Sequence, residues 1–142
     1  EKSPLSFISH DLSHVSEYAQ VSNRAYRIIN RHLPGPYTFI LPAAREVNRY
    51  MLFKRKNIGF RVPDSNVCRM LSEQLGNPLI STSVPLWREK FLNSGEVIDE
   101  YFGRQIDMVL DIGVLISEPS TIVDLTGDEY VITRQGKGEI QL

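Results

Sequence analysis

A chain of 142 residues, 42% of them hydrophobic, is long enough to bury one core and too apolar to remain disordered. Lysine and arginine number 16 against 17 aspartates and glutamates, a formal net charge of −1, which excludes a global field that gathers nucleic acid and leaves only local segregation of charge. The single cysteine, Cys68, excludes an internal disulfide framework and fits a reducing compartment.

No apolar run reaches the length of a membrane span, and the N-terminus lacks the charged-then-apolar layout of a signal peptide. The expected location is the cytoplasm. The chain opens at Glu1 without methionine and runs directly into PLSFI, so a single domain over 1–142 that lacks an N-terminal part is expected.

Leu5–Ile8 reads as a buried strand, and His10-Asp11-Leu12-Ser13 carries helix-start chemistry for a two-turn helix over Leu12–Ala19. A second helix follows from Ser22, with Val21, Ala25, Ile28, Ile29 and His32 on one face. Leu33-Pro34-Gly35-Pro36 stops it. Tyr37–Leu41 is rich in strand-forming residues. Ala43–Met51 reads as a helix or an irregular excursion. Nearby, Arg45, Arg49, Lys54, Arg55 and Lys56 crowd into twelve residues in which Glu46 is the only acid; this run is either a candidate RNA contact or a solvated loop.

Ile58–Pro63 alternates, which puts Ile58, Phe60 and Val62 on one face and Arg61 on the other. An arginine within a strand needs an anionic partner. Asp64 or Ser65 caps the next helix, where Val67, Met70, Leu71 and Leu75 form an apolar stripe with Cys68 packing on or near it, and Gly76 closes the helix. The stretch NPLISTSVP (77–85) then reads as a strand anchored in the core by Leu79 and Ile80 and ending in Ser81, Thr82 and Ser83. Three successive hydroxyls are costly to bury without partners, so they belong at a strand end, bonded either to backbone or to a ligand. Leu86–Arg104 is mixed, with a helix from about Ser94. Ile106–Leu110 reads as a strand, and Ser120–Leu125 with Tyr130–Arg134 as a hairpin. Its tail, Gln135–Gly138, is able to approach a phosphate through backbone N–H groups. Helices alternate with strands early and strands gather late, a pattern that predicts an α/β fold with a mixed sheet.

His10, His14 and His32 lack zinc-site spacing, and neither a dinucleotide-binding glycine turn nor a P-loop occurs. What remains is Arg61, the hydroxyls Ser81 to Ser83, the pair Ser120-Thr121 ahead of Asp124, and Arg134 beside Gly-Lys-Gly. Guanidinium and hydroxyl groups together suit carboxylates and phosphates. With no evident general base, such a site aligns charged substrates and offsets developing charge.

LPGPYTFIL (33–41), IGFRVPD (58–64), NPLISTSV (77–84), PSTIVDLTG (119–127) and RQGKG (134–138) occur in an order that resembles the YrdC/YciO family, and PLSFISHDLSHVSEYA is similar to its YciO branch. The resemblance implies a twisted mixed sheet flanked by helices, with a concave, positively charged face and a nucleotide pocket. It implies an activity that joins L-threonine, bicarbonate and ATP into threonylcarbamoyl-adenylate and pyrophosphate, for threonylcarbamoyladenosine in ANN-decoding tRNAs. Mg2+ is expected with the ATP phosphates. By the same resemblance Arg61, Ser81, Thr82 and Ser83 line the threonine and nucleotide pocket, with Arg61 and Ser83 as the catalytic candidates, and Ser120 and Arg134 lie on the nucleotide side. Family members are also described as double-stranded RNA or tRNA binders. The chain departs from the synthase pattern in two places: Pro85 stands where Ser-x-Asn has asparagine, and the Lys-x-Arg pair that stands a few residues before the PLSF strand has no counterpart in a sequence that opens at Glu1. Either the pair lies upstream or the chain is a YciO-type relative without synthase activity.

Overall fold

The computed structural model describes residues 5–45, 47, 56–84, 93–116 and 118–141. These form two compact units, Glu1–Thr82 with Pro119–Leu142, and Ser83–Glu118.

The first unit is built on a mixed six-stranded sheet of order β4-β1-β3-β2-β5-β6. Its strands are β1 (Ser6–Ile8), β2 (Tyr37–Pro42), β3 (Asn57–Arg61), β4 (Leu79–Ser81), β5 (Thr121–Asp124) and β6 (Val131–Arg134). β1 runs parallel to β3 and β2 parallel to β5, while the other neighbours are antiparallel. The expected mixed α/β sheet is therefore present.

Alternation along the strands sorts the sheet into two faces. One carries Phe7, Phe39, Leu41, Ile58, Phe60 and Val123, which are buried with Val15, Ala25 and Ile29 in one apolar core. Helix α1 is only Val15–Tyr18, and α2 is Asn23–His32. α1 is shorter than the composition suggests because Asp11 accepts bonds from the Ser13 amide (2.9 Å) and hydroxyl (2.8 Å), which closes a local turn where a helix would begin. α2 starts as its sequence predicts, with the Ser22 hydroxyl accepting from the Ala25 amide at 3.1 Å.

Helix α3, Asn66–Leu75, is capped by Ser65 and ends at Gly76, whose φ of 69° is the left-handed geometry that glycine tolerates. Its predicted stripe is not core: Met70, Leu71 and Leu75 are exposed, and Ser72 is the buried residue of the helix. Ile80 of β4 is also exposed, so β4 is anchored by pairing with β1 and not by a buried side chain at that position.

The tail after β6 closes the far end of the sheet. Thr121 Oγ1 donates to the Gly138 carbonyl (2.6 Å) and accepts from the Gly136 amide (3.0 Å). The Lys137 amide donates to the Pro119 carbonyl at 3.0 Å. Two N–H groups of RQGKG are thus spent on the sheet, which removes them from the phosphate cradle expected of this segment. His32 Nδ1–H donates to the Ile28 carbonyl at 2.7 Å, leaving Nε2 to accept the Gln141 amide at 3.0 Å. A β-carbon on Gly136 would overlap the Pro119 carbonyl oxygen and the Ser120 backbone, neither of which can swing aside. Gly136→Ala is expected to destabilise the protein by about 2–3 kcal/mol through this overpacking, read as a lower urea midpoint.

The second unit contains helix α4, Gly95–Phe102, capped by Ser94, whose hydroxyl accepts from the Val97 amide at 3.3 Å. The helix agrees with the spacing of its apolar residues. Ile106–Leu110 is not a strand: it makes no ladder among the described residues, and Ile106, Met108 and Leu110 are exposed. Apolar composition alone does not form a strand without a partner edge.

Candidate functional site

The second face of the sheet is polar and follows from the strand registers. Ser6 lies opposite both Gly59 and Ser81, and Ile122 lies opposite both Thr38 and Arg134. Paired residues project to the same side, so Ser81, Ser6, Gly59, Arg61, Thr38, Ile122 and Arg134 share this face. Gly59 keeps its floor open: a β-carbon there would stand 2.8 Å from Ser6 Oγ and 3.3 Å from Thr38 Cγ2.

Arg61, the last residue of β3, is half-buried, and its Nε is buried without a hydrogen-bond partner among the described residues. Burial lowers its pKa from the ordinary value. Cys68 opposes that shift, and the positive charge of Arg134 adds to it. The guanidinium nonetheless stays protonated near neutral pH. Two cations therefore act on each other across one face, and no described carboxylate forms an ion pair with either. Asp124 lies on the same strand as Ile122, but its Oδ1 is taken by the Thr126 amide (2.8 Å) and hydroxyl (2.6 Å).

Arg134 is held at its inner edge. Nε and Nη2 both donate to the Ser120 carbonyl, at 3.0 and 2.7 Å, and Nη2 also donates to Ser120 Oγ at 3.1 Å. Ser120 Oγ is in turn 2.8 Å from Thr38 Oγ1 in a buried contact. Sequence reasoning missed Thr38. Its signal was the alternation of YTFIL, which places it opposite Tyr37, Phe39 and Leu41 and therefore on the face with Arg61.

Of the expected site residues, Arg61, Ser81, Ser120 and Arg134 lie on this one face. Ser81 Oγ donates to the Ser6 carbonyl at 3.2 Å, so one of the three hydroxyls is bonded to backbone. Thr82 is exposed one residue past β4. Ser83 is exposed in the second unit, and Pro85 lies outside the described residues. Arg45 and Lys56 are exposed where the main chain is tied by the Ala43 amide to the Lys56 carbonyl (2.8 Å); Arg49, Lys54 and Arg55 lie outside the described residues. A separate cleft of about 520 Å³ opens between the start of α2 and the turn after β5. It includes neither arginine of the polar face, and Arg24 on its wall is engaged with the Asp128 carbonyl.

A family model named Sua5_yciO_yrdC and described as telomere recombination matches residues 1–136. The uncharacterized protein YciO of Escherichia coli is 41% identical over 133 residues, which cover 92% of this chain and 65% of that protein. Its crystal structure superposes with a TM-score of 0.86, covering 97% of this chain and 68% of the other. A putative threonylcarbamoyl-AMP synthase of Methanocaldococcus jannaschii is 33% identical over 139 residues, 97% of this chain and 65% of that one. The crystal structure of P. abyssi Sua5 complexed with L-threonine superposes with a TM-score of 0.82 at 25% identity, covering 94% of this chain and 40% of the other. The chain spans 65% of the length of both curated relatives.

Proposed function

This chain belongs to the Sua5/YciO/YrdC family, and on that footing we propose that its polar sheet face binds ATP and L-threonine for synthesis of threonylcarbamoyl-AMP. The observation that carries the reading is Arg61, a half-buried cation whose Nε has no partner among the described residues, beside a second arginine that Ser120 holds in place. An uncompensated buried charge costs stability unless an anion arrives to pair with it. The carboxylate of L-threonine meets that need at Arg61, and the ATP phosphates meet it at Arg134 and Ser120. Bicarbonate and the threonine amine form a carbamate and water, and a carbamate oxygen then displaces pyrophosphate from the α-phosphorus of ATP to leave the adenylate. The chain's own groups orient the two anions and offset charge that builds on the phosphates.

Among the described residues, no three His, Cys, Asp or Glu side chains gather to hold a metal. Magnesium, which one or two carboxylates and the substrate's phosphates suffice to hold, enters in this reading with ATP as part of the substrate. Calorimetry on the full-length protein tests the reading. ATP is expected to bind, and L-threonine to raise its affinity; absence of ATP binding at millimolar concentration contradicts it.

A second reading is a double-stranded RNA or tRNA binder without efficient synthase turnover, with the exposed basic residues beside the β2 and β3 ends as its footing. Arg45, past the end of β2, and Lys56, just before β3, are its candidate contacts, and binding there would fall steeply with salt. Absence of salt-sensitive RNA binding, together with threonine-dependent turnover, excludes it.

A further inference from the structure

We propose that Thr38 is a positioning residue, which sets Ser120 so that Arg134 faces Arg61 and the bound nucleotide. The inference rests on the reading of this face as the ATP site. Thr38 and Ser120 are 5% and 9% exposed, and their hydroxyls meet at 2.8 Å. The pair carries two hydroxyl hydrogens and spends one between its members. Ser120 Oγ already accepts from Arg134 Nη2. If Thr38 donates to its remaining lone pair, the Ser120 hydrogen is directed outward, beside the guanidinium, where a phosphate oxygen can accept it. Thr38 is itself fixed, because its Cγ2 packs at the Gly59 floor and its strand is bonded on both sides. The order Thr38 to Ser120 to Arg134 thus joins the middle of the sheet to an arginine on an edge strand that is otherwise exposed.

The test compares Thr38→Val, which keeps shape and removes the hydroxyl, with Thr38→Ser, which restores it. In ligand-free, 15N-labelled full-length protein, the Arg134 Nη2–H that donates to Ser120 Oγ is expected to lose exchange protection in Thr38→Val, while the Nε–H on the Ser120 carbonyl and the β2 and β5 amides keep theirs. ATP affinity is expected to fall about five- to tenfold, the scale of one charge-coupled hydrogen bond, with L-threonine affinity unchanged. Thr38→Ser is expected to recover both. Unchanged Nη2–H protection in Thr38→Val overturns the proposal, as does an equal loss of ATP and L-threonine binding together with melting temperature. If wild-type protein fails to bind ATP, the ligand reading of the face falls, and the Nη2–H measurement still decides whether Thr38 holds Arg134 through Ser120. Should Thr38→Val not fold, Thr38→Ala is judged on the same Nη2–H signal.

Discussion

Replacement of Arg61 by Met is expected to weaken binding of L-threonine in the presence of ATP by about 30- to 100-fold, the loss of a charge-assisted pair in a partly desolvated site. The same variant keeps its melting temperature or gains slightly. These opposite effects have one cause. Arg61 is half-buried, its Nε has no partner among the described residues, and burial lowers its pKa. For a basic group with a depressed folded pKa, the charged form is disfavoured by folding at all pH values below that pKa. The cost disappears only as pH rises through it, far above neutrality. Methionine removes the cost at every working pH, so stability does not fall. Titration of Arg61 likewise gives ligand binding no pH dependence near neutrality. Calorimetry and thermal melts on one preparation decide the matter: undiminished affinity in Arg61→Met, or a large loss of stability, contradicts the assignment.

Phe39→Ala gives the complementary result. Phe39 is fully buried on the central strand β2, stacked on Tyr37 at 6.0 Å between ring centroids and tilted against His32 at 6.4 Å. Truncation leaves a cavity in the core and is expected to cost about 3–5 kcal/mol. The urea midpoint falls with an unchanged slope. Because Phe39 projects away from the polar face and its neighbour Thr38 projects into it, the protein that remains folded is expected to keep the ATP affinity proposed for that face. A change in affinity at a subdenaturing temperature would mean that the two faces are not independent.

The two residues also show what was legible in the sequence. Period-two alternation in IGFRV puts Ile58 and Phe60 on one face and Arg61 on the other, as the sheet has them, whereas YTFIL, read for its strand-forming composition, left the same alternation of Phe39 and Thr38 unused. Ser22, Ser65 and Ser94 each cap the helix their position announced. Where the pattern misled, a local bond or a missing partner won. Asp11 closes a turn on Ser13 and shortens α1. The stripe of α3 and Ile80 are apolar by composition, yet exposed. Ile106–Leu110 has strand-like residues and no strand beside it among the described residues.

At the site, sequence alone chose Arg61, Ser120 and Arg134 one by one, but the link between them is a matter of register. The bonds from Thr38 to Ser120 and from Ser120 to Arg134 join residues 82 and 14 positions apart. Such pairings emerge only when β2, β5 and β6 are aligned. The glycines of RQGKG looked like phosphate-binding residues for the same reason that they pack well. Lacking side chains, they let the tail lie flat on Pro119 and Tyr37.

The central claim, that this face assembles threonylcarbamoyl-AMP, is tested most directly by pyrophosphate release from the full-length protein with Mg-ATP and bicarbonate, with and without L-threonine. The account predicts release that depends on L-threonine and is lost in Arg61→Met. Release at background level with L-threonine present, while ATP still binds, would contradict it and leave the RNA-binding reading in its place.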